Sequence, residues 1–495
     1  MYIIHIATEL APFAKAGGLG DVVYGLSQEL TRIGHTVEVI LPKYDCIDYS
    51  ELRELQVESD QFSIPDTVYT QNTIWSARFH NLKLILIESH HPSGLFDRNM
   101  IYGCPDDMIR FSYFSKTAIE YLFQTRKQPD ALHVHDWATA LTLALYKTHY
   151  QPLGYLLKNT VLTIHCLEHQ GRTSSDQLIP IGVSKDSPLL KTLQDVYDPT
   201  LINILKGGIE HADQITTVSA QYQQEIQTPE GGFGLDPLLI KHTRKLTGIL
   251  NGIDETFWNP ETDPYLVQKY PTHCTHSTQQ FSLVLSGKQA NKNHLRSRLN
   301  LQNAPVPLVA CVTRLVPQKA PQLIRHALYR TLEKGGQFIL LGSTPIPEIH
   351  LEFQKMQQEL KNNPHARILI DTDEELAHLI FASADMFIIP SLFEPCGLTQ
   401  MISQRYGTVP IVRVTGGLAN TVFDIDTSTI PIKERNGFTF DYPDEQGVNW
   451  ALDRALTCYA QNSEKWHQLM QNGMKKDWSW KDSALKYIEV YTGND

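Results

Sequence analysis

The sequence predicts an α/β protein of two halves, each a parallel sheet covered by helices on both faces. Short β-branched runs recur at 2–7, 37–42, 82–89, 131–135, 161–165 and 214–218, then at 307–312, 337–341, 366–370, 386–390 and 409–413, with helical patterns between them. Strands that are apolar almost throughout are buried on both faces, which marks a parallel sheet. A polar stretch from about 259 to 303, carrying Pro260, Pro264 and Pro271, separates the two series, so the second reads as a new sheet. The third observation is a pair of glycine-bearing segments, Lys-Ala-Gly-Gly-Leu-Gly-Asp at 15–21 and Glu-Pro-Cys-Gly-Leu-Thr-Gln at 394–400. Each follows a strand-like run and opens a helix. A helix start offers unpaired N–H groups and the positive end of the helix dipole, so both places suit an anionic ligand. Two such places in two α/β halves point to a cleft enzyme.

Taken in order, the first helix carries Val22, Val23, Leu26, Leu30 and Ile33 on one face, with Gly34 as its stop and Asp21 at its N-terminal edge. The crossing between halves is expected at Asn251-Gly252-Ile253-Asp254, and 307–312 opens the second sheet. The expected division is a first domain over 1–255, a second over 256–478, and a terminal helix over 479–495. The aromatic face of that helix, Trp480, Tyr487 and Tyr491, reads as core packing; a return to the first domain is not visible in the pattern.

With 42% hydrophobic residues, the chain can bury two or three ordinary cores. Its 43 basic and 54 acidic residues leave a net charge of −11 with no basic block, which argues against nucleic acid and anionic membranes as partners. The seven cysteines, at 46, 104, 166, 274, 311, 396 and 458, show no C-x-x-C spacing and read as reduced and without metal. The chain opens directly on a strand rather than a signal peptide, and no run reaches 18 apolar residues. A soluble, cytoplasmic protein is expected.

The chemistry-bearing residues sit at strand ends. Gly17-Gly18 fits two readings, a tight strand-to-helix turn and an anion cradle; Lys15 favours the second, while neither a Walker loop nor a G-x-G-x-x-G dinucleotide motif fits the spacing. Arg314 and Lys319 follow the first strand of the second half, where open α/β sheets bind ligands; alone, such a pair is more often a solvated surface. His165 closes one apolar run, and His133-Val134-His135-Asp136 another, so two polar strand ends face one crevice. The spacing of His133, His135, His165 and His169 is weak as a zinc pattern. Glu394 suits sugar hydroxyls beside the amides of Gly397, Leu398 and Thr399, or else is a solvated loop carboxylate.

Together these segments resemble the bacterial glycogen synthases and plant starch synthases, which transfer glucose from a sugar nucleotide to a growing α-1,4-glucan. The resemblance runs in order through 15–21, His-Asp-Trp at 135–137, Leu-Lys-Gly-Gly-Ile at 205–209, Leu-Asn-Gly-Ile-Asp at 250–254, Arg314 to Lys319, 394–400, Arg-Tyr-Gly-Thr-Val-Pro at 405–410, Thr-Gly-Gly-Leu at 415–418 and the closing Trp-Ser-Trp. It implies two Rossmann-like, doubly wound domains of the GT-B glycosyltransferase type facing across a cleft, with no cofactor and no catalytic metal. ADP-glucose would be the donor and the non-reducing end of the glucan the acceptor. By motif, Lys15, Gly18 and Asp21 would hold the donor diphosphate and glucose, Arg314 and Lys319 the leaving diphosphate, and Glu394 the glucose hydroxyls. His165 would contact the transferred glucose, Asn251 would line the donor site, Gly397, Leu398 and Thr399 would give amides to phosphate, and Asp136 would lie near the acceptor. The implied reaction is front-face transfer with retention, resting on preorganised positive charge and domain closure.

Two positions depart from the family pattern: Cys166 stands where Asn is usual, and Leu392 where Arg is common. His169-Gln170-Gly171 is similar to the starch synthase branch associated with granule initiation. The competing readings are a related transferase using UDP-glucose or another acceptor, and a non-catalytic glucan-binding scaffold. A scaffold would have shed its charged site, yet Lys15, His165, Arg314, Lys319 and Glu394 all stand in motif.

Overall fold

The computed structural model describes residues 1–65, 67, 71–272 and 278–493; Cys274 lies outside them. The chain divides into two compact units, one formed by Met1–Gly252 together with the segment from Trp480 onward, the other by Ile253–Ser479. No helix among the described residues is long and apolar enough to cross a membrane, and no disulfide joins the described cysteines.

The strands of the first unit are β1 (Tyr2–Ile6), β2 (Thr36–Pro42), β3 (Arg53–Ser63), β4 (Gln71–Phe79), β5 (Leu82–Ser89), β6 (Ala131–His135), β7 (Thr160–Ile164), β8 (Arg172–Ser174), β9 (Leu201–Asn203), β10 (Gln214–Thr217) and β11 (Leu246–Gly248). All but the short pair β8–β9 join one sheet in the order β11-β10-β7-β6-β1-β2-β5-β4-β3. It is parallel from β11 to β5 and antiparallel at β5-β4-β3. The chain builds outward from β1 through β2 in one direction and from β6 through β7 in the other. The carboxyl ends of β1 and β6 are therefore the point where strand order reverses, the place open sheets reserve for ligands.

The helix Gly18–Arg32 packs on this sheet through Val22, Val23, Leu26 and Leu30, all buried. Ile33, expected on the same face, is instead the C-terminal cap and exposed, because Gly34 at φ 98° turns the chain away there. The terminal helix Lys481–Thr492 supplies Ala484, Tyr487 and Tyr491 to the same core. Trp480 lies so close to the first helix that a Cβ on Gly25 would stand 2.0 Å from its Nε1.

The second unit holds β12 (Leu308–Val312), β13 (Gln337–Leu341), β14 (Ala366–Leu369), β15 (Met386–Ile389), β16 (Val409–Arg413) and β17 (Phe438–Phe440). They form an all-parallel sheet in the order β14-β13-β12-β15-β16-β17, with its reversal between β12 and β15. The polar stretch of 259–303 is not simply a connection, since Thr278–Arg298 is a helix. Its inward side carries charge. Lys288 Nζ donates to the carbonyls of Ala382 (3.1 Å) and Tyr406 (3.0 Å) and to Thr408 Oγ1 (2.9 Å), and Lys292 pairs with Asp385 at 2.6 Å. Phe281, Val284 and Leu295 are buried on the same helix, but Lys288, Asn291 and Lys292 interrupt them, so the apolar period is broken in the sequence.

Candidate active site

In the first unit the loop after β1 is organised by Glu9, which the sequence reading passed over. Its buried Oε2 accepts hydrogen bonds from the amides of Ala16 and Gly17, each at 2.7 Å, and its Oε1 accepts from the Tyr102 hydroxyl at 2.9 Å. Burial raises the Glu9 carboxyl above its ordinary range, against these three bonds. The amides before the helix are thus already engaged by Glu9. What remains toward solvent is the first turn at Gly18, where an added Cβ would meet nothing within 4 Å, and Lys15 Nζ paired with Asp21 Oδ1 at 2.8 Å. Gly18 has ordinary backbone angles and open space beside it, so neither sterics nor conformation demands glycine there.

The ends of β6 and β7 bring Asp136 and His165 together. Asp136 starts its helix at φ 55°, a left-handed conformation sparsely used outside glycine. This aims its Oδ1 at the amides of His165 (2.7 Å) and Cys166 (3.4 Å). Burial, with a smaller contribution from the Glu9 carboxylate, pushes the Asp136 carboxyl up to about 7 despite those bonds. Behind them lie the imidazoles of His5, His133 and His135, fully buried. His135 Nδ1 is 3.0 Å from His165 Nε2, and His135 Nε2 is 3.0 Å from His5 Nδ1. His133 is held by the Tyr491 hydroxyl (2.8 Å) and by Thr163. Burial lowers His5 and His165 to about 3, and His133 and His135 well below their ordinary value, so all four rings are neutral.

Ligand atoms of His5, His133 and His135 lie within 4.8 Å of one another, the arrangement of a possible metal group. Both ring nitrogens of His133 and His135 are, however, committed to hydrogen bonds, and a metal would have to displace them. His169, in the loop beyond, is exposed and not part of this group. Asn251, three residues past β11, is buried with its side-chain oxygen unpartnered among the described residues.

In the second unit the ends of β12 and β15, at the reversal of strand order, carry the charged set. Lys319, on the turn Pro317–Lys319, forms an ion pair with the nearly buried Glu394, whose Oε2 also accepts from Ser391 Oγ at 3.0 Å. The two loops are stitched together by Leu392 N to Gln318 O (2.8 Å) and by Gln318 Nε2 to Phe393 O (3.1 Å). Leu392 lends its carbonyl to the Arg413 guanidinium, so a cation stands beside this loop from β16. Arg314 is exposed, with no ion-pair partner among the described residues. Gly397, at φ 70°, turns the chain into the helix Thr399–Arg405, which Leu398 caps. The facing loop is pressed against it: a Cβ on Gly416 would lie 1.9 Å from Glu394 O, and one on Gly417 1.9 Å from Cys396 O.

The structure therefore joins Lys15 with Asp21, Asp136 with His165, and Lys319 with Glu394 through direct contacts, in segments that follow the carboxyl ends of parallel strands. Glu9, His5 and Ser391 were missed. Each sits inside or beside an apolar run, and only its three-dimensional partners distinguish it from a packed polar residue.

Two family models match the chain in succession, the starch synthase catalytic domain over residues 2–241 and glycosyl transferases group 1 over residues 292–476. Sucrose-phosphate synthase from Thermosynechococcus elongatus, at 18% identity and a TM-score of 0.59 over 99% of this chain and 98% of that one, shares the fold. The catalytic domain of Starch Synthase IV from Arabidopsis thaliana, solved bound to ADP and acarbose, matches with a TM-score of 0.92 at 47% identity, covering 99% of this chain and 98% of that one. The class is thus a GT-B glycosyltransferase with two Rossmann-like domains. The chain is 47% identical to the glycogen synthase of Protochlamydia amoebophila over 99% of both chains. It is 48% identical to the probable chloroplastic/amyloplastic starch synthase 4 of Arabidopsis thaliana, over 99% of this chain and 47% of that longer one. The chain belongs to the glycogen and starch synthase family, and it is a glucosyltransferase.

Proposed function

We propose that this enzyme transfers glucose from ADP-glucose to the non-reducing end of an α-1,4-glucan with retention of configuration, using neither cofactor nor metal. The observation that carries the reading is the near-complete match to a starch synthase domain bound to ADP and acarbose, in a chain that keeps Lys15, His165, Arg314, Lys319 and Glu394 in motif.

On this reading Arg314 and Lys319 bind the diphosphate and neutralise the charge that develops as it leaves. Glu394 accepts hydrogen bonds from hydroxyls of the transferred glucose, and its ion pair with Lys319 makes the sugar and diphosphate contacts one rigid unit. Gly397, Leu398 and Thr399 turn amides toward phosphate. Lys15 and Asp21 act on the donor diphosphate and glucose, with Gly18 leaving room for their approach. Asn251 supplies a polar contact to the donor; its unpartnered buried oxygen supports this. His165 contacts the transferred glucose, and Asp136, which holds the His165 amide, stands toward the acceptor. The acceptor hydroxyl attacks on the face from which diphosphate departs, and a diphosphate oxygen takes its proton.

The test offers ADP-glucose and UDP-glucose separately, with and without glycogen and in the presence of a chelator, and reads the anomeric configuration of the new linkage by proton NMR. Chelator-resistant α-linked extension from ADP-glucose is expected. Turnover lost to chelation and restored by one divalent ion overturns the metal-free mechanism, and inactivity with both donors across a range of primers overturns the reading of catalysis.

A further inference from the structure

The buried row His5–His135–His165 is not explained by the roles above. Its members stand on or just past three adjacent strands, β1, β6 and β7, and are linked by two nitrogen-to-nitrogen contacts of 3.0 Å. A neutral imidazole has one N–H and one bare nitrogen, and each contact needs one proton between its two nitrogens. With three neutral rings in line, the protons must therefore all point the same way along the row.

The two directions differ only at the ends. If the protons point outward, His5 Nδ1 donates to His135 Nε2, His135 Nδ1 donates to His165 Nε2, and His165 keeps its own proton on Nδ1. If they point inward, His165 has a bare Nδ1 and His5 must carry its proton on Nε2. That nitrogen is buried and has no partner among the described residues. A buried N–H without an acceptor is rare in folded proteins, whereas an under-used acceptor is better tolerated. The outward direction leaves only a bare nitrogen there. At the other end His165 is partly exposed, and its Nδ1 has no hydrogen-bond partner among the described residues.

We propose that His5 and His135 are positioning residues that lock His165 in the Nδ1–H tautomer, so that it presents a hydrogen-bond donor to an oxygen of the transferred glucose. The inference rests on the reading of His165 as a sugar contact. His133 takes no part, because Tyr491 and Thr163 occupy both its nitrogens. The row sets the direction of one hydrogen bond at the substrate from a ring two residues away in space.

The test labels the histidine ring nitrogens of the full-length enzyme with ¹⁵N and reads each tautomer from long-range proton–nitrogen correlations, with His165→Gln identifying the His165 signals. In the wild type, His165 is expected to show a protonated Nδ1 and a bare Nε2; the opposite pattern overturns the proposal. His5→Asp places an acceptor at the inner end and should reverse the row, moving the His165 proton to Nε2 and lowering kcat by about tenfold, the worth of one hydrogen bond. The KM for glycogen should hold. His5→Asn, whose amide can donate as Nδ1 does, should rescue both tautomer and turnover. An unchanged His165 tautomer in folded His5→Asp overturns the role given to His5. Spectra as expected, with wild-type turnover in His165→Gln, would instead overturn the sugar contact and so the function of the locked donor.

Discussion

At the scale of single residues, Lys319 and Glu394 have a structural and a catalytic role that can be separated. Lys319→Ala strands a nearly buried carboxylate whose one remaining partner among the described residues is the Ser391 hydroxyl, which should cost about 1–3 kcal/mol of stability. It should also lower kcat by about 100- to 1000-fold, the usual loss for one preorganised charge contact. Adding Glu394→Gln removes the stranded charge, so denaturant titration of the double variant should show most of the stability regained while steady-state kinetics show no recovery of turnover. Two of the three glycines of the first helix, Gly18 and Gly25, make a second contrast. Gly18→Ala has open space and ordinary angles, so its melting temperature should hold or rise slightly while KM for the sugar nucleotide increases. Gly25→Ala would drive a methyl group into Trp480 and should melt several degrees lower with KM unchanged in the fraction that folds.

At the scale of elements, the strand ends of the first sheet make stability depend on pH. His5, His133, His135 and His165 stay neutral when folded but take up protons below about 6.5 once unfolded, so the unfolded state binds more protons and stability falls as pH drops from 6.5 toward 3. Asp136 works in the opposite sense. Its raised folded value gives stability that is complete below the ordinary 3.8 and is lost as pH rises through about 7. Urea midpoints between pH 4 and 7 should therefore decline toward acid, and Asp136→Asn, which tolerates the left-handed backbone, should steepen that decline. Equal slopes for wild type and variant would remove Asp136 from the account.

The longer parallel strands were legible because burial on both faces leaves apolar runs that need no partner to be recognised, whereas the parallel edge strands β11 and β17, of three residues each, are too short to show one. The antiparallel pair β3 and β4 was not legible either, because residues 53–61 are mostly polar and largely exposed at the sheet edge, and the pairing is a property of two segments together. The same distinction holds for the site. Lys15, Arg314, Lys319 and Glu394 stood out by charge next to glycine or at strand ends. His5 and Glu9 lie in an apolar opening run, and only the neighbours that β6 and the 102 loop bring to them give them a role.

At the scale of the molecule, the terminal helix is a structural part of the first unit although 227 residues of the second intervene in the chain. Asn159 Nδ2 donates to the carbonyls of Val490 (2.9 Å) and Tyr491 (3.0 Å), and Tyr491 fixes His133. Truncation after Ser479 removes Trp480 from against Gly25 and takes Ala484, Tyr487 and Tyr491 out of the first unit's core. Hydrogen exchange of the truncated chain should show protection lost across β1, β6 and β7, with the β12–β16 core retained. Uniform protection in both units would show that the helix is dispensable.

The order of synthesis then runs against the order of completion. A ribosome that has finished residue 252 has made most of one Rossmann-like unit but not the aromatic face that closes it, and the missing turn emerges only after the whole of the other unit has been translated. At ordinary elongation speeds that interval is roughly ten to fifty seconds. Throughout it the nascent first unit lacks Trp480, Ala484, Tyr487 and Tyr491 from its core, so the half synthesised first is the last to be complete.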